Sequence, residues 1–292
     1  MGFTSRQVFR LFSGLVLATP AAAQEADTAV QSLAVPAPAS DAFSGDYLVI
    51  GLGVASVPSY EGSDDSAIIG AGGVTGRIAG IGIGARSGGI SLDFVPDGKD
   101  ARIGFGLGPV ARWHGNRTAH IKDPVVEALG KIKGTVEAGV AGSVTVKRLV
   151  TPVDTLTFSA DVRWDATGYG GGTVVSSSIS YFTPVSEAAV FGLSVASDIV
   201  DTQYANYNFA VSPAGSLASG LPVFTAKGGL KNIGLRGFFG YDLDGNLRNG
   251  GLAVVGGAGW SRLYGSAAET PLTSIRGSAS QWLMGAGLAY TF

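Results

Sequence analysis

Bulky apolar side chains recur at every second position through most of the chain after Tyr47. In Thr155–Asp165, Leu156, Phe158, Ala160, Val162 and Trp164 alternate with Thr155, Thr157, Ser159, Asp161, Arg163 and Asp165. Residues 136–147 place Val136, Ala138, Val140, Val144 and Val146 against Glu137, Ser143, Thr145 and Lys147. Ile233, Leu235, Phe239, Tyr241 and Leu243 stand against Arg236 and Asp242. The final stretch, 281–292, sets Trp282, Met284, Leu288, Tyr290 and Phe292 opposite mostly small residues. Successive side chains of a strand point to opposite faces, so this period of two predicts an all-β fold.

Strands are predicted at 47–56, 67–78, 81–86, 89–95, 101–113, 135–148, 154–165, 173–183, 187–199, 228–243, 250–263 and 280–292. A soluble sandwich would show the same alternation. Two features favour a transmembrane antiparallel up-and-down barrel. The longer strands suit a tilted bilayer crossing. Trp113, Trp164, Tyr181, Tyr241, Trp260, Trp282, Tyr290 and Phe292 also cluster near strand ends, as interfacial girdles do. Twelve strands put both termini on the periplasmic side. Omitting the short pair at 81–86 and 89–95 leaves ten strands with the same parity. Connections after even-numbered strands are then short turns. Those after odd-numbered strands include the long segments 57–66, 114–134, 200–227 and 265–278, expected to be extracellular. The last strand is expected to close the barrel on residues 47–56.

Composition supports the same picture. The 292 residues are 46% hydrophobic and 14% charged, yet no apolar run after the N-terminus is long enough for a spanning helix. Glycine numbers 46, far above its ordinary share, and falls inside strand sequence, where it permits curvature and close backbone approach. Cysteine is absent, which excludes disulfides and thiolate metal sites. Residues 1–23 have the layout of a cleaved signal peptide: Arg6 and Arg10, an apolar segment at 11–18, and small residues at 21–23. Their removal takes two positive charges from the net −2, leaving −4. With no basic patch, nucleic acid is not an expected partner. Residues 24–45 are rich in Ala, Pro and Ser and read as a flexible periplasmic leader, with the barrel domain at 46–292.

Charges on the inward parity are tolerated because a barrel lumen is polar, whereas Arg on the lipid face costs about 2–4 kcal/mol near the midplane. Arg102, Arg112, Glu137, Lys147, Asp161, Arg163, Arg236 and Asp242 are the candidate lumen charges, able to form a mixed-charge network. Such a network either plugs the lumen or lines a pore.

Several segments resemble one family. PSYEGSDD at 58–65 is similar to the family's Pro-x-Tyr-x-Gly-Ser-Asp loop, here Pro58, Tyr60, Gly62, Ser63 and Asp64. FGLGPVARW at 105–113, the stretch 116–139, SGLPVFTAKGGLKNIG at 219–234 and the block at 260–292 follow in family order. On these motifs the chain resembles the MltA-interacting protein/OmpV family of outer-membrane proteins. Thr270 and Trp260 depart from its usual Ser and Tyr. The resemblance implies an outer-membrane barrel, with Gly287, Tyr290 and Phe292 read by the barrel-assembly machinery. Gly285 stands where that signal usually has a polar residue. The resemblance further implies scaffolding of a murein hydrolase with a murein synthase, or an osmotic-response or adhesion role; a passive small-solute pore is the other class.

No enzyme is expected. The two histidines, His114 and His120, are both predicted in one extracellular loop, away from the inward Ser143 and Ser159, so no nucleophile–base pair forms. Those histidines with Asp123 could bind a metal, but solvated loop histidines are the simpler reading and no metal is expected. Gly-rich strings such as GIGIGAR lack the following helix of a phosphate loop, so no cofactor is expected. The acidic residues at 60–65 offer hard oxygen ligands for divalent ions on lipopolysaccharide. A tight turn with solvated carboxylates explains them more simply.

Overall fold

The computed structural model describes residues 45–292 except 87, 97, 99 and 100. The expected signal peptide and leader, Gly45 apart, lie outside the described residues. Twelve strands form one closed antiparallel barrel. They are β1 (Tyr47–Pro58), β2 (Ser66–Ile78), β3 (Ile81–Arg86), β4 (Gly89–Asp93), β5 (Ile103–His114) and β6 (Thr135–Lys147), followed by β7 (Thr155–Asp165), β8 (Thr173–Pro184), β9 (Ala189–Val200), β10 (Gly229–Asp242), β11 (Gly251–Leu263) and β12 (Ser280–Thr291). The count of twelve holds over ten. Closure joins β1 to β12 from Val49↔Thr291 to Ser56↔Met284, and Leu48 and Phe292 exchange backbone hydrogen bonds beyond that register.

This pairing allows little room for side chains where glycines meet. A Cβ on Gly287 would stand 2.3 Å from the Leu52 carbonyl oxygen, and one on Gly53 2.3 Å from that of Ala286. Both glycines therefore let the closing strands lie in contact.

The outward parity is apolar and exposed: Leu52, Ile68, Phe105, Trp282 and Met284 are more than half accessible. So large an apolar band is tolerated against lipid, not water. The aromatics sort by end. All four tryptophans, Trp113, Trp164, Trp260 and Trp282, lie within three residues of the strand ends that meet the long loops. Tyr181, Tyr241, Tyr290 and Phe292 lie at the opposite end, with the short turns. Two belts one barrel length apart are the arrangement interfacial aromatics favour.

The long connections are not plain loops. They carry α1 (Pro124–Glu127), α2 (Thr202–Phe209), α3 (Pro213–Ser219), α4 (Gly265–Glu269) and α5 (Pro271–Ser274). Pro at the first turn and a capping Asp or Ser start α1 and α3. Asp201 caps α2 by accepting from the Tyr204 N–H. Their apolar residues pack into two clusters over the barrel mouth. One joins Tyr60, Ile121, Val126, Val211, Leu221 and Leu272 from four different loops. The other packs Tyr204, Phe209 and Ala267 on Val174, Val200 and Leu263 of the wall.

The wall is uneven. β2–β3 and β4–β5 are each joined by three residue pairs, while β1–β12 has eight and β9–β10 twelve. Residues 67–74 of β2 have a strand neighbour only in β1 among the described residues. Backbone groups left unpaired in hydrocarbon cost several kcal/mol, so the β3–β4 hairpin is the weakest part of the barrel. Amides of β3 and β4 should exchange with deuterium roughly 100-fold faster than those of β9 and β10 in detergent. Equal protection would contradict this ranking.

Candidate functional site

The lumen is divided along its axis. Near the turns it is filled by Val49, Phe182, Val190, Phe238, Val255 and Ala289, all inward and buried. Near the loops it is charged. Glu137, 1% exposed, receives the Arg112 Nε at 2.7 Å and the Arg163 Nε at 3.0 Å on the same carboxylate oxygen. The Arg163 guanidinium also pairs with Asp161 and donates to the Ser176 hydroxyl. A buried carboxylate between two arginines offsets its desolvation only through such bonds, and removing one partner is far costlier than the pair's net worth.

A second group adjoins the first. Lys231, 2% exposed, lies 2.9 Å from a Glu61 oxygen and 3.4 Å from an Asp198 oxygen. Its direction comes from a bulge. The β9–β10 register passes from Leu230↔Ile199 to Asn232↔Asp198, leaving Lys231 without an opposite residue. Simple alternation would place Lys231 with the outward Ile233 and Leu235; the extra residue turns it inward beside Asn232. Asn232 donates to Asp198, as does the Ser176 hydroxyl. Lys231 also donates to the Tyr204 hydroxyl at 3.2 Å, which meets His114 Nε2 at 3.1 Å. Helix α2 is thereby tied to the wall through buried polar contacts. Burial, and the Glu61 charge after it, push the Tyr204 phenol well above its ordinary pKa, so it stays protonated as a donor.

The network holds four of the predicted lumen charges: Arg112, Glu137, Asp161 and Arg163. Arg236 lines the adjoining cavity. The other three sit near the turn end. Arg102 is exposed and donates to the Arg148 carbonyl at 3.4 Å, and Lys147 is partly exposed at the end of β6. Asp242 is buried but accepts the Asp244 N–H at 3.0 Å, fixing the β10–β11 turn. Asp198, Lys231 and Arg86 are not among the candidate lumen charges, and Glu61 is expected only as a solvated turn carboxylate. Asp198 shares the inward parity of Ser194 and Ala196, so the alternation already carried that signal.

Three loop expectations need correcting. His114 is the last residue of β5, 4% exposed, and packs on Tyr204 rather than standing solvated in a loop with His120. Asp123 caps α1 and pairs with Arg276 at 2.7 Å. Burial raises its pKa, but the Arg276 hydrogen bond and the N–H groups of Val126 and Val125 outweigh this and hold it below the ordinary value. Asp64 and Asp65 are exposed as expected for a turn, yet Glu61 reaches Lys231.

The motif at 58–64 is a clasp. The Tyr60 hydroxyl donates to the Leu272 and Arg276 carbonyls at 3.2 and 2.9 Å. Gly62 has φ +99, and a Cβ there would meet the Thr273 hydroxyl oxygen at 2.1 Å. Its N–H donates to the Gln281 side chain, which donates in turn to the Ser63 carbonyl. Pro58 ends β1, and Asp64 is exposed. Among the C-terminal residues Gly287 lies in the β1–β12 contact, while Tyr290 and Phe292 stack outside with ring centroids 4.6 Å apart.

A closed twelve-stranded barrel with an apolar exterior, aromatic belts and buried charges in the loop half of its interior is a β-barrel of the outer-membrane class. The chain matches the family described as MltA-interacting protein MipA over residues 50–292, and it belongs to that family. Two solved structures align with the chain at low identity. An anion-selective porin from Comamonas acidovorans aligns at 9% identity, TM-score 0.39, over 85% of this chain and 98% of its own. An outer-membrane channel from Pseudomonas putida F1 aligns at 13% identity, TM-score 0.43, over 89% and 98%. Among curated proteins none matches in sequence.

Replacing Glu137 by Gln leaves Arg112 and Arg163 facing each other without their carboxylate. The variant should lose about 3–5 kcal/mol in urea unfolding of the refolded barrel. A loss under about 1 kcal/mol, the range of an exposed pair, would show that the network does not bear on stability.

Proposed function

We propose that this protein is a closed outer-membrane barrel that serves as an interaction scaffold for murein-remodelling enzymes and does not conduct solutes. One observation carries the closed reading: the lumen is packed with apolar side chains near the turns and with a paired charge network near the loops. A lumen charge pairs with its neighbours at the expense of hydration, which is the opposite of what a water-filled channel needs. The family's name supplies the partner, MltA, and the family resemblance read from the sequence supplies its class, a lytic transglycosylase. In this reading the signal peptide at 1–23 is cleaved and the leader and short turns face the periplasm. The capped loops then face outward over lipopolysaccharide. Cap packing across four loops supports an interacting surface of fixed shape, as against loops that part for a solute.

Gly287, Tyr290 and Phe292 act in this reading as the address for the barrel-assembly machinery. Deleting Phe292 should lower the amount of inserted protein several-fold while leaving the urea midpoint of the inserted fraction nearly unchanged; equal surface levels would refute the address. For the partner, a photo-crosslinker at Leu149, Val185 or Leu243, exposed at the turn end, should capture an MltA-type transglycosylase in cells. Capture from loop-end positions such as Leu217 instead, or from none, would refute the scaffold.

A further inference from the structure

A cavity of about 140 Å³ lies in the loop half of the lumen. Arg86, Ser159, Ser178 and Arg236 line it together with the ion-paired groups described above. The carboxylates that line it each meet a cation, Asp161 at Arg163 and Glu61 and Asp198 at Lys231, although the second Glu61 oxygen is buried without a partner. Arg86 differs from its neighbours. It ends β3 on the inward parity, and its side chain has no hydrogen bond or ion pair among the described residues. Its Nε is shut off from solvent and unpartnered. The residue as a whole is partly exposed, so the guanidinium keeps its charge while its buried Nε carries an uncompensated desolvation cost.

The local backbone makes room beside it. Arg86 pairs with Gly89, and Gly89 pairs with Arg112 on the next strand. At strand spacing the two arginine backbones are about 10 Å apart. The residue between them has no side chain, and a Cβ there would stand 2.1 Å from the Ala111 carbonyl oxygen. The result is a floor of bare backbone flanked by two guanidiniums, with serine hydroxyls lining the same space.

We propose that this cavity is a binding site for a small oxyanion of the phosphate or carboxylate class, with Arg86 as its principal ligand. The planar fork of Arg86 presents parallel N–H donors that match an oxyanion, and the Ser159 and Ser178 hydroxyls, which meet each other at 3.3 Å, line the same cavity. A space of this size holds a free ion and several waters, not a lipid with its chains. The bound ion supplies the negative charge that Arg86 lacks, and it joins the β3–β4 hairpin, the weakest part of the wall, to the rest of the lumen network. This inference goes beyond the scaffold reading and stands or falls separately from it.

Calorimetric titration of the full-length barrel, refolded in detergent at fixed ionic strength, tests the site with sodium phosphate as probe. Wild-type protein should show saturable binding to one site, and Arg86→Gln should weaken it at least about tenfold, as expected for loss of charge-assisted hydrogen bonds. No saturable binding to wild type, or equal binding by Arg86→Gln with wild-type gel mobility, overturns the proposal. A readout on unmodified protein guards against a variant that does not fold. Phosphate should protect Arg86 from phenylglyoxal, read by mass spectrometry, and unchanged labelling of Arg86 overturns the proposal as well.

Discussion

Every peptide group that crosses hydrocarbon must find its hydrogen bond within the protein, because no water is there to supply one. The closing pair β1–β12 meets that demand for the whole sheet: without it two strand edges would face lipid. The two glycine contacts in that pair, at Gly53 and Gly287, follow directly, since any side chain there would push the edges apart. The same constraint ranks the rest of the wall. Long registers from β5 round to β2 form a firm arc, and the short hairpin β3–β4 completes it with few bonds.

A closed wall leaves the interior to be settled separately, and here two solutions meet end to end. Near the turns the inward residues are apolar and pack as a small core. Near the loops they are charged: Glu137 and Asp198 are bonded to cations from other strands, and Asp161 to Arg163 on its own strand. The cap depends on this lower layer. Helix α2 is held through Tyr204, whose hydroxyl touches both Lys231 and His114, and the 58–64 clasp sends Glu61 down to the same lysine. Breaking the charge network would therefore loosen the cap as well as the wall. Lumen, cap and outer loops behave as one packed unit.

Much of this was legible in the residues because strand geometry is coarse and repetitive. A period of two, a short-turn/long-loop alternation and paired girdles suffice for the barrel and for which side chains face inward, and narrow the strand number to twelve or ten. Arg112, Glu137, Asp161 and Arg163 followed from parity alone. Lys231 could not, because a bulge shifts its parity and nothing in GLKNIG marks where the extra residue falls. His114 and Glu61 read as loop residues in the sequence, since the distance over which a loop folds back into the lumen depends on tertiary packing. Arg102, Lys147 and Asp242 share the inward parity of the network residues, but parity does not say how far along the axis a charge lies. The loop helices were missed because each is only one or two turns long. Such helices are held by packing rather than by their own propensity.

In the proposed function the packed lumen closes the barrel to solutes. Planar-bilayer recording of the refolded protein in concentrated potassium chloride measures this directly. The membrane should stay silent after insertion is confirmed by heat-dependent gel mobility, and step openings should appear in the Glu137→Gln protein as the network loosens. Persistent ohmic steps from the wild-type barrel would contradict it.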